Sequence, residues 1–394
     1  VMDLSAEALD KSLKARVTRV ATKAAAYADE VDRVGRFPRE AVDAMKAERL
    51  LSLMIPKKFG GEGLSYSEIA EVCTLLGQAC AASAMIFAMH QIKVSSLVEH
   101  GEDAAWHEDF MRRVAAAQLL LGSATTEGGI GGNLRNSICA IEVKDGICRL
   151  EKDATVISYA RESDAILITS RSHKDAASSD QVMTVFLKDQ YTLEQTHVWD
   201  TLGMRGTCSD GFLFRGEAPA EQILPHPFAE IAAQSMLAAS HLLWSALWYG
   251  IAVDAFMRSQ NFLRAAARKA PGTQPPGLVQ LAEISAELQT IRSTILTGLS
   301  TFEDARKNPD RLSSMGFAVA MNNIKIAASE KILTVINQAM RICGIMGYKN
   351  GTPYSLGRHL RDAHSAELMI SNDRILANTS QMLLVHKQDT SLLG

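Results

Sequence analysis

Gly344-Ile-Met-Gly-Tyr-Lys-Asn-Gly-Thr-Pro353, with Gly357-Arg-His-Leu-Arg-Asp-Ala-His364 close behind it, is the stretch on which the reading of the whole chain turns. Apolar residues recur at helical spacing on either side, so this is a glycine-broken turn held between helices. Gly344, Gly347 and Gly351 permit backbone angles that other residues avoid, and they let the chain approach a bound group closely. Pro353 ends the turn and lets a new helix begin. Loops carried by rigid helices are favoured places for binding groups. With Arg341 upstream, the order is helix, Gly-x-x-Gly-Tyr, Pro, Arg-x-x-Arg-Asp-Ala, helix.

Working outward, helical periodicity predicts long helices over 229–269, 277–308, 313–343 and about 362–387, enough for a four-helix bundle spanning 226–394. Upstream, the period changes to alternation near residue 119. Ile138-Cys-Ala-Ile-Glu-Val-Lys-Asp-Gly-Ile-Cys-Arg-Leu predicts two strands around an Asp-Gly turn, and 165–170, 181–187 and 211–214 add further short strands. A middle β domain, a small barrel or sandwich, is expected over 119–225. Residues 1–118 form an all-α domain, with a helix opened at Pro38 and a Ser65-x-x-Glu68 capping box after the turn-rich Pro56-Lys-Lys-Phe-Gly-Gly-Glu-Gly63. The segment Ser83-Ala-Met-Ile-Phe-Ala-Met-His-Gln-Ile is apolar nearly all round, which predicts burial on several sides.

The 394 residues suffice for two or three domains. Forty-one basic and 44 acidic residues are scattered without blocks, for a formal charge of −3, so no basic stripe argues for nucleic acid. Cys73, Cys80, Cys139, Cys148, Cys208 and Cys343 form no C-x-x-C pair and no zinc spacing; they read as free thiols in a reducing cytoplasm, and no metal is expected. Neither a signal peptide nor a transit pattern opens the sequence. The segment 231–253 lacks charge but is punctuated by Gln234, Ser235, Ser240, His241 and Ser245, so a buried bundle helix is expected and not a membrane span.

The glycine-rich Gly122-Ser-Ala-Thr-Thr-Glu-Gly-Gly-Ile-Gly-Gly-Asn133 leads into a strand. A nucleotide-binding glycine turn leads into a helix whose N-terminus meets phosphate, so the Rossmann and P-loop readings are rejected. The C-terminal order described above resembles the signature of the acyl-CoA dehydrogenase superfamily of flavoproteins, and so does the Pro-x-x-x-Gly-Gly-x-Gly loop. Thr126-Glu-Gly-Gly-Ile-Gly-Gly-Asn133 is similar to the family's Thr-Glu-Pro-x-x-Gly-Ser-Asp loop, departing from it at Gly128, Gly132 and Asn133. Ile157-Ser-Tyr resembles its Ile-Thr-Asn segment, and Leu202-Gly-Met-Arg-Gly-Thr207 its Leu-Gly-Met-Arg-x-Thr segment. The matches run in order along essentially the whole chain.

The resemblance implies the acyl-CoA dehydrogenase fold, mainly α with a central β domain, and FAD as cofactor. It implies that Thr125, Thr126 and Ser158 lie at the flavin ring. It further implies that Arg264 or Arg268, Arg341 and Gly344 hold the dinucleotide across a subunit interface of a homodimer or homotetramer. Arg205 is either a ligand-side cation or a structural arginine satisfying loop carbonyls.

The family's reaction needs a carboxylate to remove the substrate α-proton. By register, one family position for that base is Ile370 and the other is Ser240, beside His241. Three explanations stay open. Glu367 or Asp373 takes the place of the base, or His90 or His241 does. Alternatively the chemistry is that of flavin monooxygenases of the same fold, which lack the glutamate. The function the resemblance implies is oxidation of an acyl thioester by α-proton abstraction and hydride transfer to flavin N5, with acyl-CoA or another small molecule as substrate and an electron-transfer partner; the alternative is oxygenation with electrons from a flavin reductase.

Overall fold

The computed structural model describes residues 12–129 and 133–392. Five helices come first: α1 (Leu13–Val34), α2 (Arg39–Ala47), α3 (Tyr66–Ala79), α4 (Ala81–His100) and α5 (Ala105–Ala117). The Ser65 capping box forms as expected, with Ser65 and Glu68 each satisfying the other's backbone N–H. The glycine-rich loop before it folds back tightly, and a Cβ on Gly61 would lie 2.0 Å from the Ile55 carbonyl oxygen, so only glycine fits. Helix α4 is buried along most of its length, as its all-round apolar surface predicts.

Seven strands follow: β1 (Leu121–Ala124), β2 (Glu142–Lys144), β3 (Ile147–Ala154), β4 (Ala165–Arg171), β5 (Gln181–Leu187), β6 (Tyr191–His197) and β7 (Gly211–Pro219). They form two sheets, β1-β4-β5 and β2-β3-β7-β6, with β1 parallel to β4 and every other pair antiparallel. The Asp145-Gly146 turn pairs Lys144 with Ile147. Ile166, Ile168 and Phe186 from one sheet and Leu150, Phe212 and Phe214 from the other share one core, and Phe186 meets Phe214 edge-on at 5.2 Å. Strand β6 escaped the sequence reading because it is an exposed edge strand, Thr-Leu-Glu-Gln-Thr-His, with little apolar alternation to betray it.

The C-terminal part begins with α6 (Phe228–Ile231), a π-helical turn (Ala232–Met236) and α7 (Leu237–Lys269), one unbroken helical rod. Then come α8 (Leu278–Ala305), α9 (Pro309–Leu312), α10 (Met315–Cys343), α11 (Ile345–Tyr348), α12 (Gly357–Leu368) and α13 (Asn372–Leu383). Where α3 crosses α7, a Cβ on Gly77 would lie 2.4 Å from the Leu247 carbonyl and one on Gly250 2.3 Å from that of Thr74. The two backbones therefore touch, locking the first helices onto the bundle. The uncharged segment expected to be buried is buried.

One helix departs from expectation. The helix predicted over 362–387 is broken at 369–371, where Ile370 adopts a left-handed backbone with φ of 49°. Tertiary contacts impose the break: the buried Lys325 ammonium donates to the Ile370 carbonyl at 2.8 Å and to Asn372 Oδ1 at 2.6 Å. The Ile370 carbonyl is freed to accept that proton where the helix stops.

Candidate active site

All three regions meet at a cavity of about 660 Å³. One wall is a single face of α4, with Met85, Met89, Ile92 and Lys93 at helical spacing. Facing it are Met236 at the end of the π-turn and Ser240 and Trp244 on α7. The β domain contributes Thr125, Thr126, Ser158 and the loop 199–209, while Arg361, His364, Leu368 and the break at 369–371 line the remaining side.

The β-domain wall is a run of hydroxyls. Thr207 donates to the Met204 carbonyl at 2.9 Å, Ser209 lies 2.7 Å from Thr207 Oγ1, and Ser158 lies 2.8 Å from Ser209 Oγ. With Thr207 committed as donor, Ser209 donates to Thr207 and Ser158 to Ser209, so the Ser158 oxygen is left as an acceptor. Thr126 donates to the Val156 carbonyl at 3.1 Å. Glu127, next in the loop, turns away into the protein, where its carboxylate accepts from Ser137 Oγ and from the Ile138 and Cys139 amides. Gly132 lies outside the described residues.

The loop 199–209 is held by the Arg361-Asp362 stretch of α12. A Cβ on Gly203 would lie 2.2 Å from the Arg361 carbonyl oxygen, and the Met204 amide donates to Asp362 Oδ1 at 2.7 Å. Arg361 pairs with Asp32 through both guanidinium nitrogens and donates to the Leu202 carbonyl. Arg205 is structural: its guanidinium donates to the carbonyls of Asp32 and Thr201.

Thr125, Thr126 and Ser158 are thus brought together, and the other candidates lie elsewhere. His90 is consumed by the backbone, with Nε2 2.6 Å from the Leu51 carbonyl and Nδ1 accepting the Leu121 amide at 3.0 Å. Burial holds His90 and His241 down to about 4, both in their neutral forms, and neither lines the cavity. Glu367 and Asp373 are absent from its walls, and Asp373 is an exposed residue of the first turn of α13. Arg264, Arg268, Arg341 and Gly344 are exposed toward the ends of α7 and α10. These ends are neighbours, since a Cβ on Gly277 would touch both Leu263 and Ile342. A separate grouping, His100, His226 and Glu230, has the spacing of a metal site among the described residues; His226 pairs with Glu230 at 3.0 Å and His100 with Ser235 at 2.9 Å.

Two cavity residues were not singled out from the sequence. Lys93 is buried, and among the described residues its only hydrogen-bond partner is the Met236 thioether at 3.3 Å. Burial, reinforced by the charge of Lys152, lowers it to about 7. Trp244 is buried, with an indole Nε1 that meets no acceptor. Lys93 had a legible signal, being the lone Lys, Arg, Asp or Glu between Ala81 and Val98. Trp244 had none.

Helical domain, β sandwich and bundle closing on a hydroxyl-edged cavity are the attributes of a flavin-dependent oxidoreductase. The chain belongs to the acyl-CoA dehydrogenase family: residues 8–142 match its N-terminal domain and residues 231–381 its C-terminal domain. It is 26% identical to a glutaryl-CoA dehydrogenase of Desulfococcus multivorans, over 86% of each chain. Its fold is similar to that of FMN-bound TdsC of Paenibacillus sp. A11-2, described as a dibenzothiophene monooxygenase (TM-score 0.83, 19% identity, 95% of this chain and 98% of that one). It is similar too to the methanesulfinate monooxygenase MsuC of Pseudomonas fluorescens (TM-score 0.81, 18% identity, 96% and 98%). Dehydrogenases and monooxygenases thus both stand among its relatives.

Proposed function

We propose that the chain is a reduced-flavin-dependent monooxygenase that takes its flavin electrons from a separate reductase. One observation carries this reading: no Asp or Glu is among the described residues that line the cavity. An acyl thioester dehydrogenase needs a carboxylate there as general base. At the position where the family's register puts that glutamate, the chain has Ile370, in a helix break tied to Lys325.

The residues present fit a flavin. The hydroxyl run of Ser158, Ser209 and Thr207 offers a polar edge to a planar ring, and the methionine walls offer apolar faces. When bound, reduced flavin supplies the two electrons with which dioxygen is split, one oxygen atom entering the substrate and the other leaving as water. The Ser158 oxygen, its own proton given to Ser209, is free to accept from a ring N–H. Thr126 and Thr125 flank it, and the Met85, Met89 and Met236 side chains exclude water.

The ring contacts all come from one chain. The adenylate of FAD would rest on Arg264, Arg268, Arg341 and Gly344 of a neighbouring copy, so retention of FAD, as opposed to the shorter FMN, is tied to a homodimer or homotetramer. The free thiols suit a reducing cytoplasm.

Anaerobic mixing of the flavin-loaded protein with a panel of acyl-CoA thioesters tests the reading. No bleaching is expected, whereas a flavin reductase with dioxygen gives oxygenated product. Bleaching by any thioester would install the dehydrogenase instead.

A further inference from the structure

Among the described residues three lysines are buried, and two of them are amply satisfied. Lys152 donates to the carbonyls of Ala124 and Thr169 and to Thr169 Oγ1, at 2.7 to 3.2 Å. Lys325 donates to the Ile370 carbonyl and Asn372 Oδ1 and lies over the Trp248 ring. Lys93, 3% exposed, has one weak acceptor, a thioether. An ammonium with three protons, removed from water, is costly unless oxygen acceptors or a counter-charge receive it. Across the same cavity Trp244 adds a second donor, its buried Nε1 also without a partner.

Among the described residues, these two poorly satisfied donors line the same cavity as Met85, Met89, Ile92 and Met236. No carboxylate among the described lining residues competes for them; of the other cations that line the cavity, Arg361 is already paired with Asp32, and Arg374 is the second. Among the described lining residues no anionic side chain repels a bound anion.

We propose that Lys93 and Trp244 form an oxyanion subsite, and that the substrate is a small apolar molecule bearing a carboxylate or sulfinate that seats on Lys93. This rests on the cavity being the substrate site, and holds whichever reaction takes place there. The anion brings the oxygen lone pairs that both donors lack, and its apolar part packs against the methionines, which adapt to its shape. Lys93 acts here as a specificity-determining residue.

Calorimetric titration of the flavin-loaded protein with short alkyl carboxylates, alkyl sulfinates and the matching uncharged amides tests the subsite without turnover. The expected result is that one or both anions bind at least about 10-fold more tightly than the amide, the two anion arms telling carboxylate from sulfinate. Lys93→Met should erase the preference, weakening the anion about 10- to 100-fold, with flavin content unchanged; Trp244→Phe should weaken it less.

A readout free of variants comes from proton linkage. Lys152 is the charged group that acts on Lys93, and the other charged or titratable residues described as lining the cavity are Arg361, His364 and Arg374 from α12 and α13. With Lys93 lowered to about 7, anion binding at about pH 8 should take up close to one proton, and little at about pH 6. Equal binding of anion and amide, an unaltered preference in Lys93→Met, or no binding of any probe would each overturn the subsite. Flavin content and the thioester test report separately on the flavin reading.

Discussion

Met204 and Asp362, 158 residues apart, are joined by a 2.7 Å hydrogen bond from the Met204 amide to the Asp362 carboxylate, with Gly203 pressed on the Arg361 carbonyl beside it. Through this contact the Leu-Gly-Met-Arg and Arg-Asp-Ala segments become one structural unit that frames the cavity.

Asp362 is fully buried, and burial, only partly opposed by Arg358, pushes its carboxyl up to about 6. A raised folded-state value means its contribution to stability is complete below the ordinary carboxyl range and is lost as pH rises through about 6. Asp362→Asn keeps an acceptor for the Met204 amide but does not titrate. Relative to the parent, it should gain on the order of 2–3 kcal/mol between about pH 4 and pH 7. Denaturation midpoints of both proteins across that range would check this, and parallel pH profiles would refute it.

Gly203→Ala puts a methyl 2.2 Å from a backbone oxygen that belongs to a helix. The loop 199–209 must move, at a cost of about 1–3 kcal/mol. A lower melting temperature together with reduced flavin content is expected, since the displaced loop carries Thr207 and Ser209.

Ser158→Ala removes the end of the hydroxyl run, and Thr126→Ala removes the group bonded to Val156. Each should weaken flavin retention by about 0.5–1.5 kcal/mol, or shift its absorbance. Equilibrium dialysis and visible spectra measure both, and unchanged values in both variants would leave these as ordinary loop hydroxyls.

Lys325→Met strips the Ile370 carbonyl and Asn372 of their ammonium donor. Leaving such acceptors unmet costs about 1–3 kcal/mol. Hydrogen exchange should quicken around 369–375, beyond any change in α7, because the helix break depends on that donor.

Glu367→Gln, Asp373→Asn and His241→Ala should leave oxygenated product per bound flavin within about 2-fold, whereas loss of a true base costs about 10²–10⁴-fold. His90→Ala should lower stability, since Leu51 and Leu121 lose their partner, with the same per-flavin yield. A collapse of turnover in any one of the four at normal flavin content would restore that residue as a base.

Local chemistry carried much of this in the sequence itself. Helix periods, the Ser65 capping box, the Asp145-Gly146 turn and the order of short motifs are determined by residues a few positions apart, so the three-part architecture was legible before any coordinates, whereas the hydroxyls at 125, 126 and 158, which line the cavity, were pointed to by the family resemblance alone. What tertiary structure alone decided involves distant partners. Strand β6 exists because an edge of β7 was open to it, and the break at Ile370 exists because Lys325, 45 residues earlier, holds its carbonyl. Lys93 stood in the sequence as the lone Lys, Arg, Asp or Glu between Ala81 and Val98. Its lack of a counter-ion was not visible, because that depends on where distant carboxylates come to rest in the fold, and none among the described residues lines the cavity.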